Sequence, residues 1–377
     1  MQSQTKSTLK SAAVWGMRLL ALVLTAGVLL STGEFNQWWI RMWDFPRVQL
    51  VAAMVILGLL ILRFDRGEEG SWKTWRLALP LAMAALTVWQ VYRIYPYTPL
   101  APTTVAKFAA DTEGGDACFS VLSLNVLQDN REYGRTLELI ERIDADMVLL
   151  METDQAWLDA MAPVRAKYDT ALERPLDNKY GIAFYTSMPV RDAAIRDLAQ
   201  KDTPSVFGTM TAGGLDFRMI ALHPRPPQPG QDTEERDAEL VVAARHARDL
   251  PMPAIAIGDF NDVAWSSTTE LFMQTGQFLD PRIGRGTYAT FPADMTWLGW
   301  PLDHLFVTDE FLLREMEVLG PVGSDHRPIL ARLCLDPATA RTNNAEAEDA
   351  DSADRKAADE VMQEFEEDTA KDRVEGE

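Results

Sequence analysis

Ser324-Asp325-His326-Arg327, near the end of the folded part of the chain, is the stretch from which the fold is read. Alone, an Asp-His step beside a turn caps or solvates that turn and carries no chemistry. Its company changes the reading. Upstream, in order, stand Leu124-Asn125-Val126, Met151-Glu152-Thr153, Leu222-His223-Pro224, Gly258-Asp259-Phe260-Asn261 and Leu302-Asp303-His304. Each sits at the end of a short, apolar, strand-like run. Polar groups delivered to strand ends from distant parts of a chain are how a rigid scaffold assembles a reaction site. The chain therefore reads as an enzyme.

Outward from these points, apolar runs bounded by turn residues predict strands over 118–125, 147–152, 182–186, 205–211, 215–222, 254–258, 302–307 and 329–335. Helical spacing is predicted for 131–143, through Leu137, Ile140 and Ile143, and for 233–250, through Leu240, Val241 and Ala244. A shorter helix is expected over 266–275, capped by Ser266 or Ser267. The order strand–helix–strand, a strand-rich stretch, strand–helix and final strands fits two sheets packed face to face with helices outside. There is no internal repeat, no P-loop and no dinucleotide-binding glycine pattern.

Residues 1–95 have a different character. Three apolar runs, Ala12–Leu30, Val48–Leu62 and Leu77–Tyr92, are read as transmembrane helices. The second and third are shorter than the ~20 residues that cross a bilayer comfortably. Flanking arginines that snorkel, and the aromatics Trp38, Trp39, Trp43, Trp72, Trp75, Trp89 and Tyr92, extend them. A cleaved signal peptide is the alternative for the first run, but two more apolar runs follow it. Lys6, Lys10 and the loop residues Arg63, Arg66, Lys73 and Arg76 place the amino terminus in the cytoplasm by the positive-inside rule. Three crossings then put the globular domain outside an inner membrane, in the periplasm or cell exterior. Residues 96–116, with Pro96, Pro99 and Pro102, are expected to be a stiff extended linker.

The net charge of −20 is concentrated at the other end. From Asp336 to Glu377 stand fifteen acidic and five basic residues with one aromatic, too little apolar surface to offset chain entropy. This tail, 336–377, is expected to be disordered, with a short amphipathic helix around 357–365 as the alternative. The two cysteines, Cys118 and Cys334, open the first strand and close the last strand of the globular domain. If those strands are antiparallel neighbours, the thiols meet in a disulfide, which requires an oxidising compartment. The alternative is two small buried hydrophobes.

The ordered set Leu-Asn-Val, Glu152, His223-Pro224, Gly-Asp-Phe-Asn, Asp303-His304 and Ser-Asp-His resembles the endonuclease/exonuclease/phosphatase superfamily over about residues 117–335. That group includes DNase I-like nucleases, abasic-site endonucleases, neutral sphingomyelinases and inositol polyphosphate phosphatases. Any one motif is weak; six in order are specific. The resemblance implies an α/β (α+β) fold, a four-layer α/β/β/α sandwich of the DNase I-like type, with the site at one rim of the paired sheets. It also implies metal-assisted phosphoester hydrolysis.

That chemistry assigns roles to the residues. Glu152, closing the apolar run Met147–Met151, is the leading ligand for Mg²⁺ (or Mn²⁺), because a carboxylate there is costly without a cation or several donors. Asn125 and Asp325 complete its oxygen set. By resemblance, Asp259 activates the attacking water and Asn261 binds a phosphate oxygen, with Gly258 allowing close backbone approach. His326, paired with Asp303, is the donor to developing charge, and His223 is a second donor or proton carrier. Arg225, on the stiff loop His223-Pro224-Arg225-Pro226-Pro227, is read as a phosphate contact, and Tyr180 as part of the cleft. Trp297 and Trp300 flank Asp303 as pocket wall or core; His304 and His246 are read as structural or exposed.

Two features bear on substrate. The abasic-site nucleases carry an acidic residue two positions after the motif Asn, where this chain has Leu127, followed by Gln128 and Asp129. The globular part is acidic even without the tail and offers no basic stripe for phosphate neutralisation. A membrane anchor keeps the site near lipid head groups. A lipid or small phosphoester is therefore favoured, with nucleic acid as the alternative and a catalytically inactive binding module as a third reading. No protein partner is identifiable.

Overall fold

The apolar run after the membrane segment, Cys118–Asn125, forms strand β1 inside a six-stranded sheet. This computed structural model describes residues 2–33, 35–65, 74–108 and 117–375. The chain divides into two units, Met1–Pro96 and Tyr97–Glu377.

The first unit holds α1 (Gln2–Leu30), the short α2 (Trp38–Arg41), α3 (Arg47–Phe64) and α4 (Thr74–Ile94). Three stretches, Ser11–Leu30, Arg47–Phe64 and Arg76–Tyr97, are long and apolar enough to cross a membrane. They pack through Ala21, Val28, Met54, Ile61 and Met83. Arg18, the one charge interrupting the first run, donates from Nε to Asp65 Oδ2 at 2.8 Å, so it is compensated within the bundle. Arg66 and Lys73, two of the residues that set the expected orientation, lie outside the described residues.

The second unit is the sandwich. Its six-stranded sheet runs β10 (Phe311–Val318), β11 (Ile329–Leu335), β1, β2 (Met147–Met151), β4 (Ile182–Thr186) and β3 (Thr170–Arg174). The five-stranded sheet runs β5 (Val190–Asp197), β6 (Pro204–Ala212), β7 (Leu215–Leu222), β8 (Ala254–Asp259) and β9 (Asp303–Val307). One core cluster fills the space between the sheets, joining Val121, Leu149 and Phe184 to Val206, Phe217 and Ile255. The outer face of the first sheet is covered by α5 (Tyr133–Ile143), α6 (Gln155–Ala160) and α7 (Ala162–Arg165), with Trp157 at the contact. The outer face of the second is covered by α8 (Glu234–Arg248) and α9 (Ser267–Gly276), through Leu240, Ala244 and Phe272. This is the four-layer α/β/β/α arrangement.

β1 pairs with β11 antiparallel in a register that sets Cys118 opposite Cys334, and the two are joined in a disulfide. β1 pairs with β2, and β7 with β8, in parallel. These parallel pairs bring the carboxyl ends of β1 and β2, and of β7 and β8, to common edges of their sheets.

Two expectations are corrected. The spacer is not free over its described part: residues 97–108 lie on the sandwich. Tyr97 donates its hydroxyl to the Ala264 carbonyl at 2.5 Å, Thr104 donates to the Asp280 carbonyl at 2.7 Å, and Ala106 accepts from the Leu313 amide at 3.0 Å. Val105 is fully buried, and burying it outweighs the freedom of an extended chain; residues 109–116 lie outside the description. The acidic tail is likewise ordered through Glu375, as α10 (Pro337–Asn343) and α11 (Ser352–Glu375). Its few larger side chains, Val361, Met362 and Phe365, fall with Ala358 on one helical stripe of lower exposure. Ala358 is buried, and Asp359 pairs with Arg245 of α8 at 2.6 Å. The alternative reading, a short amphipathic helix around 357–365, falls inside α11, which extends it in both directions.

Candidate active site

Three of the strands that deliver the site turn sharply where they end. Leu127 after β1, Glu152 after β2 and Asn261 after β8 all have positive φ, at 58°, 62° and 50°. Left-handed backbone at a non-glycine residue costs about 1–3 kcal/mol and persists where surrounding contacts hold it. Here the contacts are those of the site. The Glu152 carboxylate turns back to accept from Asn125 Nδ2 at 3.0 Å and from the Gln128 amide at 3.1 Å. Asn125 Nδ2 also reaches Asp259 Oδ2 at 3.1 Å, so one amide joins the carboxylates of both sheets. Asn261 donates its backbone N–H to Asp259 Oδ1 at 2.9 Å and its side-chain amide to the Pro224 carbonyl at 2.9 Å.

Two glycines make the approach possible. A Cβ on Gly258 would lie 1.9 Å from the Leu222 carbonyl oxygen, across the parallel β7–β8 pair. On Gly181 it would lie 1.8 Å from the Thr153 carbonyl oxygen, so only glycine lets the Tyr180 loop close beside Glu152.

His326 is built from the opposite side. His326 Nδ1 lies 2.8 Å from Asp303 Oδ2, while its Nε2 faces Asp259 Oδ2 at 3.5 Å. Ser324 fixes the turn by donating to the Asn125 carbonyl at 2.6 Å and accepting from the His326 amide at 3.0 Å. Burial by itself lowers the affinity of His326 for a proton. The carboxylates of Asp303 and Asp259, with Asp325 beyond, outweigh burial and lift its pKa to about 10. Burial raises the Asp259 pKa, against the pull of His326 and His223. His223, fully enclosed with Nε2 3.9 Å from Asp259, is pushed down by burial and is neutral at pH 7.

The structure thus brings Asn125, Glu152, His223, Asp259, Asn261, Asp303 and His326 to one rim. Asp259, Asp303 and His326 form the tightest set, their ligand-capable atoms all within 4.8 Å of one another. Asp325 is less direct. Among the described residues it makes no hydrogen bond to Glu152 or Asn125, and it joins them through Ser324, whose hydroxyl lies 3.5 Å from Asp325 Oδ1. Arg225 is partly committed: Nε donates to Thr203 at 2.8 Å and Nη2 to the Lys201 carbonyl at 2.8 Å. Its guanidinium stacks over Tyr180 at 5.2 Å, and the Tyr180 ring lies 5.5 Å from that of His223. Trp300 stacks on Phe291, which lies against His326 at 5.0 Å, whereas Trp297 is 78% exposed and is not core.

Of the buried scaffold behind the site, the sequence reading names only His304, as structural or exposed; its arginines have no counterpart there. Arg282 pairs with Asp280 at 2.7 Å and donates to His304 Nδ1 at 2.7 Å, leaving His304 Nε2 to donate to the Asp262 carbonyl at 2.9 Å. His304 is therefore neutral and structural; burial first, then Arg282, holds its pKa well below the usual value. Arg236 donates to the Asn261 carbonyl at 3.2 Å and pairs with Asp237 at 2.8 Å. In sequence, Arg236 sits among Glu234, Glu235 and Asp237 and looks like part of a solvated face.

A family model described as Endonuclease/Exonuclease/phosphatase family matches residues 122–326. Similar solved structures include an endonuclease/exonuclease/phosphatase from Bacteroides vulgatus, with 20% identity, TM-score 0.48, and 58% of this chain and 99% of that one covered. The human nocturnin catalytic domain with bound sulfate gives 17%, 0.47, 59% and 96% for the same quantities. A mannosyl-6-phosphatase from Bacteroides thetaiotaomicron gives 19%, 0.46, 57% and 99%. No curated protein matches significantly.

Proposed function

The chain belongs to the endonuclease/exonuclease/phosphatase family, and on that premise we propose that it is a membrane-anchored, divalent-metal-dependent hydrolase of lipid or small phosphoesters. The observation that carries the proposal is the link from Glu152 through Asn125 to Asp259, facing the His326–Asp303 pair. It joins a carboxylate site for a cation to a base and a protonated donor.

The residues fit a cation. Among the described residues, no lysine or arginine pairs with Glu152, Asp259, Asp303 or Asp325, and Asp303 Oδ1 is buried without a hydrogen-bond partner. Such a concentration of negative charge is costly unless a counter-charge joins it. Glu152, Asn125 and Asp325 would hold Mg²⁺ or Mn²⁺, which when bound neutralises phosphoryl and leaving-group oxygens. The protein supplies the rest. Asp259, its basicity raised by burial, takes the proton of the attacking water. Asn261, fixed by Pro224, orients the phosphoryl group. His326, kept protonated by Asp303, donates to the charge that develops on it. His223, neutral, faces the same oxygen of Asp259 from the Tyr180 side.

Two observations support a membrane-embedded substrate. The loop carrying Phe291 exposes Trp297 and Met295, side chains suited to a bilayer interface. The rim is acidic. The Cys118–Cys334 disulfide and the basic residues of the first unit support an extracytoplasmic hydrolase domain, with the amino terminus in the cytoplasm.

The test is an assay of the full chain in vesicles, with Mg²⁺ or Mn²⁺, on phospholipid phosphoesters, soluble p-nitrophenyl esters, RNA and plasmid DNA. The proposal expects turnover of vesicle-borne or small phosphoesters. Preferential cleavage of nucleic acid would replace it with the nuclease reading.

A further inference from the structure

Helix α11 runs along α8 toward the cleft. Asp359 pairs with Arg245 in the last turn of α8 at 2.6 Å, whereas Asp368, further along α11, comes within electrostatic reach of Glu234 in the first turn of α8. The two helices are therefore antiparallel. The first turn of α8 borders the site: Arg236 donates to the Asn261 carbonyl at 3.2 Å, and the charge of Glu235 is felt at Tyr180. Burial, with the neighbouring charges of Asp232, Asp368 and Asp237, pushes the Glu234 pKa up to about 7.

Folding alone does not favour this arrangement. Acidic residues at the start of α8 suit its helix dipole, but bringing the acidic end of a second helix against them adds like-charge repulsion. The apolar stripe on α11 holds the contact in spite of it. Glu366 and Glu367 directly precede Asp368 on α11, and all three are exposed.

We propose that this edge is a specificity device: α11 lines one flank of the cleft with negative charge that turns away polyanions and leaves the site to substrates carrying a single phosphoester. The inference rests on the hydrolase reading above. A lone phosphoester spends its charge at the cation and His326. A nucleic acid strand must also lay further phosphates within a Debye length of the acidic flank, about 8–10 Å at ordinary salt.

The experiment uses the full chain with Glu366→Lys, Glu367→Lys and Asp368→Lys combined, and a neutral counterpart with Glu366→Gln, Glu367→Gln and Asp368→Asn. Two readouts are taken: affinity for a short single-stranded oligonucleotide by fluorescence anisotropy, and kcat/KM on that oligonucleotide and on bis(p-nitrophenyl) phosphate. The expected result is oligonucleotide affinity and cleavage about tenfold higher in the lysine variant at low salt, a smaller gain in the neutral one, and loss of both gains at high salt. Turnover of the small ester stays within about twofold, as expected for exposed residues away from the reacting atoms. Unchanged oligonucleotide affinity at low salt, or an equal rise on both substrates, would overturn the proposal. Higher affinity with no hydrolysis of any ester would uphold the acidic flank while removing the hydrolase reading.

Discussion

At the scale of single residues, the account turns on how each polar group is held. His326 is the clearest case. Burial opposes its charge, yet Asp303 and Asp259 lift its pKa to about 10. A group raised in the folded state contributes stability that is complete below its unfolded value and is lost as pH rises through the folded one. In EDTA-treated protein, the His326 ring proton resonance should therefore remain that of imidazolium through pH 8 and move only near pH 10; titration near the ordinary value of about 6.5 would refute the pairing. A second expectation concerns Asn125, whose Nδ2 bridges Glu152 and Asp259. Asn125→Ala leaves the half-buried Glu152 and the buried Asp259 facing each other without their shared donor, so kcat should fall about a hundredfold or more, with the apparent Mg²⁺ requirement rising. Gly258→Ala is expected to cost about 3 kcal/mol in chemical denaturation, because the added carbon meets the Leu222 carbonyl. The residues gathered at the rim were legible because each adjoins an end of an apolar run. Arg236 and Arg282 were not, since a buried ion pair looks the same in sequence as solvated polar residues.

At the scale of elements, the interior strands were the readable ones. β1, β4, β7 and β11 fall where apolar runs predict them, because residues shielded on both faces must be apolar throughout. The strands without a prediction, β3, β5 and β10, all lie at sheet edges with exposed or half-exposed positions, so no clean alternation marks them. Residues 97–108 and the tail failed for a related reason: their burial comes from docking on a surface formed elsewhere in the chain. That makes α11 testable as an element. Phe365→Asp places a charge on its docked stripe and should release it, giving rapid proteolysis within 352–375 while the sandwich stays resistant. Equal resistance in the variant and the parent would mean the stripe does not hold the helix. Replacing Cys118 and Cys334 together by serine frees a loop spanning 216 residues. The loop-entropy argument puts the loss at about 3–5 kcal/mol, read as a lower denaturation midpoint in non-reducing buffer.

For the whole molecule, three helices long and apolar enough to cross a membrane, a disulfide-closed sandwich of the hydrolase family and an acidic helix are the parts that the proposed action beside a membrane draws on. The fold class was accessible from the order of strands and helices, and the family from the order of six motifs. Neither the docking of the segment after Pro96 nor the course of α11 along α8 was accessible, because both are settled by contacts between distant parts of the chain. The unifying claim is that Glu152, Asp259 and His326 act together on one phosphorus atom with a cation. The most direct measurement is hydrolysis of a phosphoester by the full chain in vesicles, with Mg²⁺, with EDTA and in His326→Ala. The account predicts turnover with the metal, loss of turnover in EDTA and a fall of about a thousandfold in the variant with KM little changed. Turnover that survives both EDTA and the substitution would contradict it.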